Sequence, residues 1–249
     1  MAINTPRGNA IRIVPLYVPG APLPTTANLT YRGGPLLSNA QVFTAFWGTA
    51  WQQTPQSNSI QQLNDFFGYI LTSSLIDQLA EYSTPTQTIG HGSRIGTATV
   101  TTSDPGQSVT DAAIQNMLQN EIANNAAFPQ PTSNTLYFVY LPPGVVVVQG
   151  GSSSCQSFCG YHDAINGQIF YGVMPYPDCA GCLGGLAAFD ALTTTSSHEL
   201  CEAITDPVPG QGWYDDTNGE IGDICAWKTK QVGNYTVQQE WSNKTGSCT

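Results

Sequence analysis

Ser197-His198-Glu199-Leu200-Cys201-Glu202-Ala203-Ile204-Thr205-Asp206-Pro207 is the stretch that decides how this chain is read. Residues Gly184 to Thr205 predict the last long helix of the chain, and Pro207 ends it because a proline drives the residue before it out of the α region. On that helix His198 and Glu202 are four residues apart, so their side chains leave one face a turn apart. An imidazole and a carboxylate placed in this way can meet a single cation. Glu199 stands one position round from His198.

Upstream of this helix the chain alternates between strand-like and helix-like periods. Ile11 to Val18 predicts a strand within a Pro- and Gly-rich first 40 residues, and Val42 to Trp51 predicts a second, aromatic one. Ile60 to Tyr82 predicts one core-facing helix through Ile60, Leu63, Phe67, Ile70 and Leu71. A strand around Ile95 to Thr102 and a helix from Asp111 to Ala127 follow, with Asp111 as cap or first-turn acid. Thr135 to Leu141 and Val145 to Gln149 predict two strands around the turn Pro142-Pro143-Gly144, and Gln168 to Val173 predicts another. Strands mixed with helices in this order give an α+β class with α/β character. Residues 1–150 form its sheet and helix part and 151–249 a cysteine-rich part, within one domain.

In the H-E-x-x-H zinc helix the first glutamate does not bind the metal but takes a proton from its water. Glu199 occupies that position, while Glu202 stands where the second histidine would be. The motif therefore predicts a zincin-like mixed sheet with a long metal-binding helix, His198 and Glu202 as ligands and Glu199 as the catalytic base. A carboxylate in place of imidazole neutralises more of the cation's charge, so the bound water is less acidic.

A third donor is expected from Asp215-Asp216-Thr217-Asn218-Gly219-Glu220-Ile221-Gly222-Asp223, the densest run of oxygen donors in the chain. Glu220 is the first choice as ligand and Asp223 the expected orienting acid, a spacing that resembles gluzincins. Asp206 is the rival ligand, on the pattern of metzincins. The same run also suits calcium, although it lacks the full EF-hand alternation. His162, flanked by Tyr161 and Asp163, is a candidate to line the cleft or steady an oxyanion, with a buried, hydrogen-bonded role as the alternative. His91 reads as a loop residue. No Gly-x-Ser-x-Gly elbow supports a serine triad.

Composition narrows the classes further. A net charge of −10 with only seven Lys and Arg opposes nucleic-acid binding. No apolar run is long enough to span a bilayer. All seven cysteines lie beyond residue 150, which predicts a disulfide framework in an oxidising, extracellular setting, with Cys201 left over. The competing reading is a four-cysteine zinc site from Cys155, Cys159, Cys179 and Cys182.

Tyr31-Arg32-Gly33-Gly34-Pro35-Leu36, Phe158-Cys159-Gly160-Tyr161-His162, Cys179-Ala180-Gly181-Cys182, and Thr205-Asp206-Pro207 with Gly212-Trp213-Tyr214 together resemble the plant EXORDIUM (phosphate-induced protein) family. That resemblance implies secretion, and no enzyme precedent, since those proteins generally lack the His198-Glu199 pair. The helix quoted above, followed by Gly219-Glu220-Ile221-Gly222-Asp223-Ile224-Cys225-Ala226-Trp227, is similar to uncharacterised microbial proteins. These readings converge on a secreted zinc-dependent hydrolase of peptide or protein substrates. A non-catalytic extracellular metal- or glycan-binding protein is the alternative.

Overall fold

Residues Thr135–Tyr140 are buried along their whole length because helices cover both faces of the sheet they belong to. A computed structural model describes residues 12–21 and 26–249. Its main sheet contains β1 (Arg12–Pro15), β2 (Gln41–Trp47), β3 (Ser93–Val100), β4 (Thr135–Tyr140), β5 (Phe158–Ile165) and β6 (Ile169–Met174), in the order β1-β5-β6-β4-β2-β3. The strands β6, β4, β2 and β3 run parallel, whereas β5 is antiparallel to both β6 and β1. On one face Leu136, Phe138 and Tyr140 join a core with α1 (Gln56–Ile70) and the long helix; on the other, Tyr137 and Val139 pack with α2 (Asp111–Asn124). The α+β class and mixed sheet therefore follow the expectation.

The long helix, α3, spans Ala188–Thr205 and ends before Asp206-Pro207 as expected, but it starts later than Gly184. Gly184 has a left-handed φ of 60° and terminates a separate short helix, Ala180–Leu183. The expected helix from Ile60 to Tyr82 is likewise divided. It stops at Ile70, and Ser73 starts a new short helix, its hydroxyl accepting a hydrogen bond from the Leu75 N–H. Asp111 is a first-turn acid rather than the cap, because the Thr110 hydroxyl caps the Ala113 N–H. Val146–Gln149 pairs with Ser108–Thr110, outside the main sheet. Ile11, the first residue of the expected N-terminal strand, lies outside the described residues.

Among the elements not expected from the sequence are strand β5 and an antiparallel ribbon of β7 (Thr229–Val232) and β8 (Tyr235–Gln238) laid against α3. Three disulfides join Cys155 to Cys179, Cys159 to Cys182 and Cys225 to Cys248, and Cys201 is a buried free thiol. The four-cysteine zinc alternative has no thiolates left to bind with. No described helix is long and apolar enough to cross a membrane.

Strand β5 approaches α3 closely through Gly160, where an added Cβ would lie 2.7 Å from the Thr195 methyl carbon and 3.1 Å from the Met174 terminal methyl. Thr195 is β-branched and buried, so it has little room to yield. Gly160→Ala is expected to destabilise the fold by about 1–3 kcal/mol through overpacking. Urea unfolding checks this, and an unchanged midpoint would show that strand and helix are not in contact there.

Candidate metal centre

From Ala191 to Thr205 every residue of α3 is buried, although the segment is rich in hydroxyls and acids. Three of the hydroxyls find partners at once, whereas that of Thr194 has none. The Thr193 hydroxyl donates to the Thr236 carbonyl, Ser196 pairs with the Tyr140 hydroxyl, and Ser197 donates to the Thr194 carbonyl and accepts from the Gln238 N–H. Such a helix is stable only when it is enclosed, by the sheet on one side and by β8 and the 219–225 segment on the other.

His198 is held by Gln238. The Gln238 amide oxygen accepts from the Trp227 N–H, and its nitrogen donates to the Gly222 carbonyl, which fixes the orientation of the amide. Its oxygen, 3.0 Å from His198 Nδ1, therefore accepts a hydrogen bond from that nitrogen. The neutral ring then carries its lone pair on Nε2, which lies 3.0 Å from Glu202 Oε1 without the alignment of a hydrogen bond. Gly222 packs on the ring so closely that a Cβ there would sit 2.8 Å from the imidazole.

His162 comes from β5 and approaches the same helix from the sheet side. Its Nε2 lies 3.1 Å from the Asp206 carbonyl, which can only accept, so Nε2 is the protonated nitrogen. Nδ1 faces Glu199 Oε2 at 2.9 Å and Glu202 Oε2 at 3.5 Å. Glu220 Oε1 stands 3.6 Å from Nε2, on the other side of the ring. Two sets of three donors result, each with its atoms within 4.8 Å of one another: His162, Glu199 and Glu202, and His198, Glu202 and Asp223.

The residues expected at the site are thus brought together, but their arrangement differs from the expected order. Asp223, not Glu220, shares a donor set with His198 and Glu202, while Glu220 lies beside His162. Asp223 also fastens the loop: its backbone N–H donates to Glu202 Oε1, and its carboxylate accepts from the Glu220 N–H. Asp206, the rival ligand, is instead occupied by the backbone N–H groups of Gly210, Gln211 and Gly212. Asp215 accepts from the backbone of Asn28, Thr217 and Asn218, and Asp216 pairs with Arg32. The acidic run therefore divides, its first half closing a turn and its second half entering the core. His91 lies in a loop and pairs with Asp77.

Five carboxyl side chains, Glu199, Glu202, Asp206, Glu220 and Glu240, are 0% exposed, and they accompany two imidazoles exposed by 1% or less. Burial opposes charge on His162 and His198, yet the neighbouring carboxylates, led by Glu220 for His162 and Glu202 for His198, hold both pKa values well above the usual histidine range. Burial also works against the Glu202 carboxylate, but the two histidines bring it down to about 2. For Glu199, Glu220 and Glu240 burial prevails and raises the pKa. Protons thus balance the excess of acids, as a cation would.

The donors fit a cation better than they fit one another. His198 Nε2, Glu199 Oε1, Glu202 Oε2 and both Glu220 oxygens are buried without a hydrogen-bond partner, an arrangement that is costly unless something else satisfies them. Ligands bound to zinc at about 2.0–2.1 Å in a tetrahedron stand about 3.3 Å apart. The 2.9–3.5 Å separations between imidazole and carboxylate atoms within the two donor sets bracket that spacing. His162 and Gln238 were the contributions hardest to see in the sequence; the only signal was the placement of His162 beside Tyr161 and Asp163.

Asp206→Asn keeps the shape of the side chain but removes its charge, so it is expected to cost about 1.5–3 kcal/mol, the worth of a hydrogen bond to a charged group. If the protein holds metal, its amount per chain should be unchanged. Thermal unfolding together with elemental analysis checks this, and loss of metal from the variant would make Asp206 a ligand after all.

No family model matches the chain, and no curated protein is similar enough to it to count as a relative.

Proposed function

We propose that the protein is a secreted metal-dependent hydrolase that holds zinc through His198, Glu202 and Asp223 and acts on peptide bonds. The observation that carries this reading is Glu199: it adjoins the donor set on α3, and its Oε1 is buried without a partner. Zinc in such a site supplies a Lewis acid and makes a water easier to deprotonate. Glu199 Oε1 would take a proton from that water, while Oε2 accepts from Nδ1 of the protonated His162 ring at 2.9 Å. Gln238 keeps His198 in the tautomer whose Nε2 faces the metal position. Asp223 fastens the 219–225 segment to Glu202, and Glu220 lies behind His162 as a counter-charge. The three disulfides support an oxidising compartment and, with it, secretion.

One observation favours a second reading. Every donor of the set except Asp223 lacks exposed surface, as suits a cation that orders the fold of a non-catalytic extracellular protein. Calcium is the weaker choice of ion for such a role, because an imidazole among the donors favours zinc.

The purified protein is expected to contain stoichiometric zinc by elemental analysis and to hydrolyse unfolded protein substrates. Glu199→Gln should retain the zinc held by His198, Glu202 and Asp223 and lose activity by about a hundred- to ten-thousand-fold. Equal activity in the variant would remove Glu199 from the chemistry. Zinc without any hydrolysis, combined with a lower unfolding temperature after chelation, would establish the structural role instead.

A further inference from the structure

We propose that the centre holds two divalent transition-metal ions bridged by Glu202, the second ion being bound by His162, Glu199 and Glu202. This rests on the metal-binding reading above and extends it to a site formed by different side chains. The two oxygens of Glu202 face different imidazoles: Oε1 lies 3.0 Å from His198 Nε2, and Oε2 lies 3.5 Å from His162 Nδ1. Each ring, when neutral, presents a lone pair to that carboxylate for the same reason, because its far nitrogen is tied to a fixed acceptor. For His198 this is the Gln238 amide oxygen, and for His162 it is the Asp206 carbonyl. A histidine oriented through its far nitrogen is the usual arrangement at a metal.

The two donor sets share Glu202 and nothing else. One ion at His198 would satisfy Nε2, yet it would leave Glu202 Oε2 and Glu199 Oε1 buried without partners. Mixed nitrogen and oxygen donors of this kind suit zinc, manganese or iron.

The test uses the full-length protein freed of metal, reloaded with Zn²⁺ or Mn²⁺ and separated from unbound ion. Two ions per chain are expected, and the Mn²⁺ form should give the exchange-coupled paramagnetic resonance spectrum of a bridged pair. His162→Gln and His198→Gln should each reduce the count to one and abolish the coupling. One ion per chain in the unaltered protein, lost in His198→Gln and kept in His162→Gln, would overturn the pair while leaving the single-metal reading intact. Absence of any bound ion would overturn both. Two ions with an uncoupled spectrum would overturn the bridge. The count and spectrum of the unaltered protein decide the question even if a variant does not fold.

Discussion

The charge buried between α3 and strand β5 constrains the rest of the molecule. Bringing a carboxylate into a protein interior costs several kcal/mol unless a counter-charge and hydrogen bonds meet it there, and here several enter together. Each is tolerable only at its observed position. Glu202 needs both imidazoles, His162 needs the Asp206 carbonyl, and His198 needs Gln238. A displacement of about 1 Å in any of the contributing segments would leave a charge unmet, so the architecture around them is close-packed, with glycine where neighbours come nearest. Gly160 lets β5 lie against α3, and Gly222 lets the loop lie on the His198 ring. A side chain at either position would separate the groups that neutralise one another.

How much of this was legible in the sequence follows from how far apart the interacting residues lie. The His198-Glu199-Glu202 pattern is a property of one helical turn, so spacing alone disclosed it. The strands β2, β4 and β6 were legible because their apolar runs match a sheet covered on both faces. Strand β5 was not, because Cys159-Gly160 and the polar His162-Asp163 interrupt any apolar run. Gln238 was hidden for another reason. A glutamine in a polar C-terminal stretch resembles many others, and its value lies in three partners at Trp227, His198 and Gly222. The acidic run was recognised as a donor cluster but not as two halves with different tasks. The division depends on Asn28 and Arg32, nearly two hundred residues earlier, which claim Asp215 and Asp216.

The helix breaks that differed from expectation have a common cause. Periodicity carries across Leu71 and across Gly184 because the apolar spacing persists there, whereas the backbone responds to capping. The Ser73 hydroxyl offers the chain a new first turn, and the left-handed Gly184 closes an old one. The late start of α3 has a consequence for the site. Gly184 and Gly185 allow the chain to turn away from Ala180–Leu183, so α3 can lie along the sheet with His198, Glu199 and Glu202 directed at β5 and the 219–225 segment.

The disulfides complete this logic, since each one fastens a segment that brings a donor to α3. Cys159 lies three residues before His162 and is tied to Cys182, with Cys155–Cys179 alongside; Cys225 follows Asp223 by two residues and is tied to Cys248. Closing loops of 23 or 24 residues removes about 3 kcal/mol of chain entropy from the unfolded state per bridge in the entropic account. The α3 donors are held by the helix itself, and the donors from β5 and the loop are held by covalent bonds beside them. Positions fixed in this way do not have to be assembled by an incoming cation. A cation entering this centre would then have to displace the protons shared among the acids and imidazoles, rather than rearrange the chain.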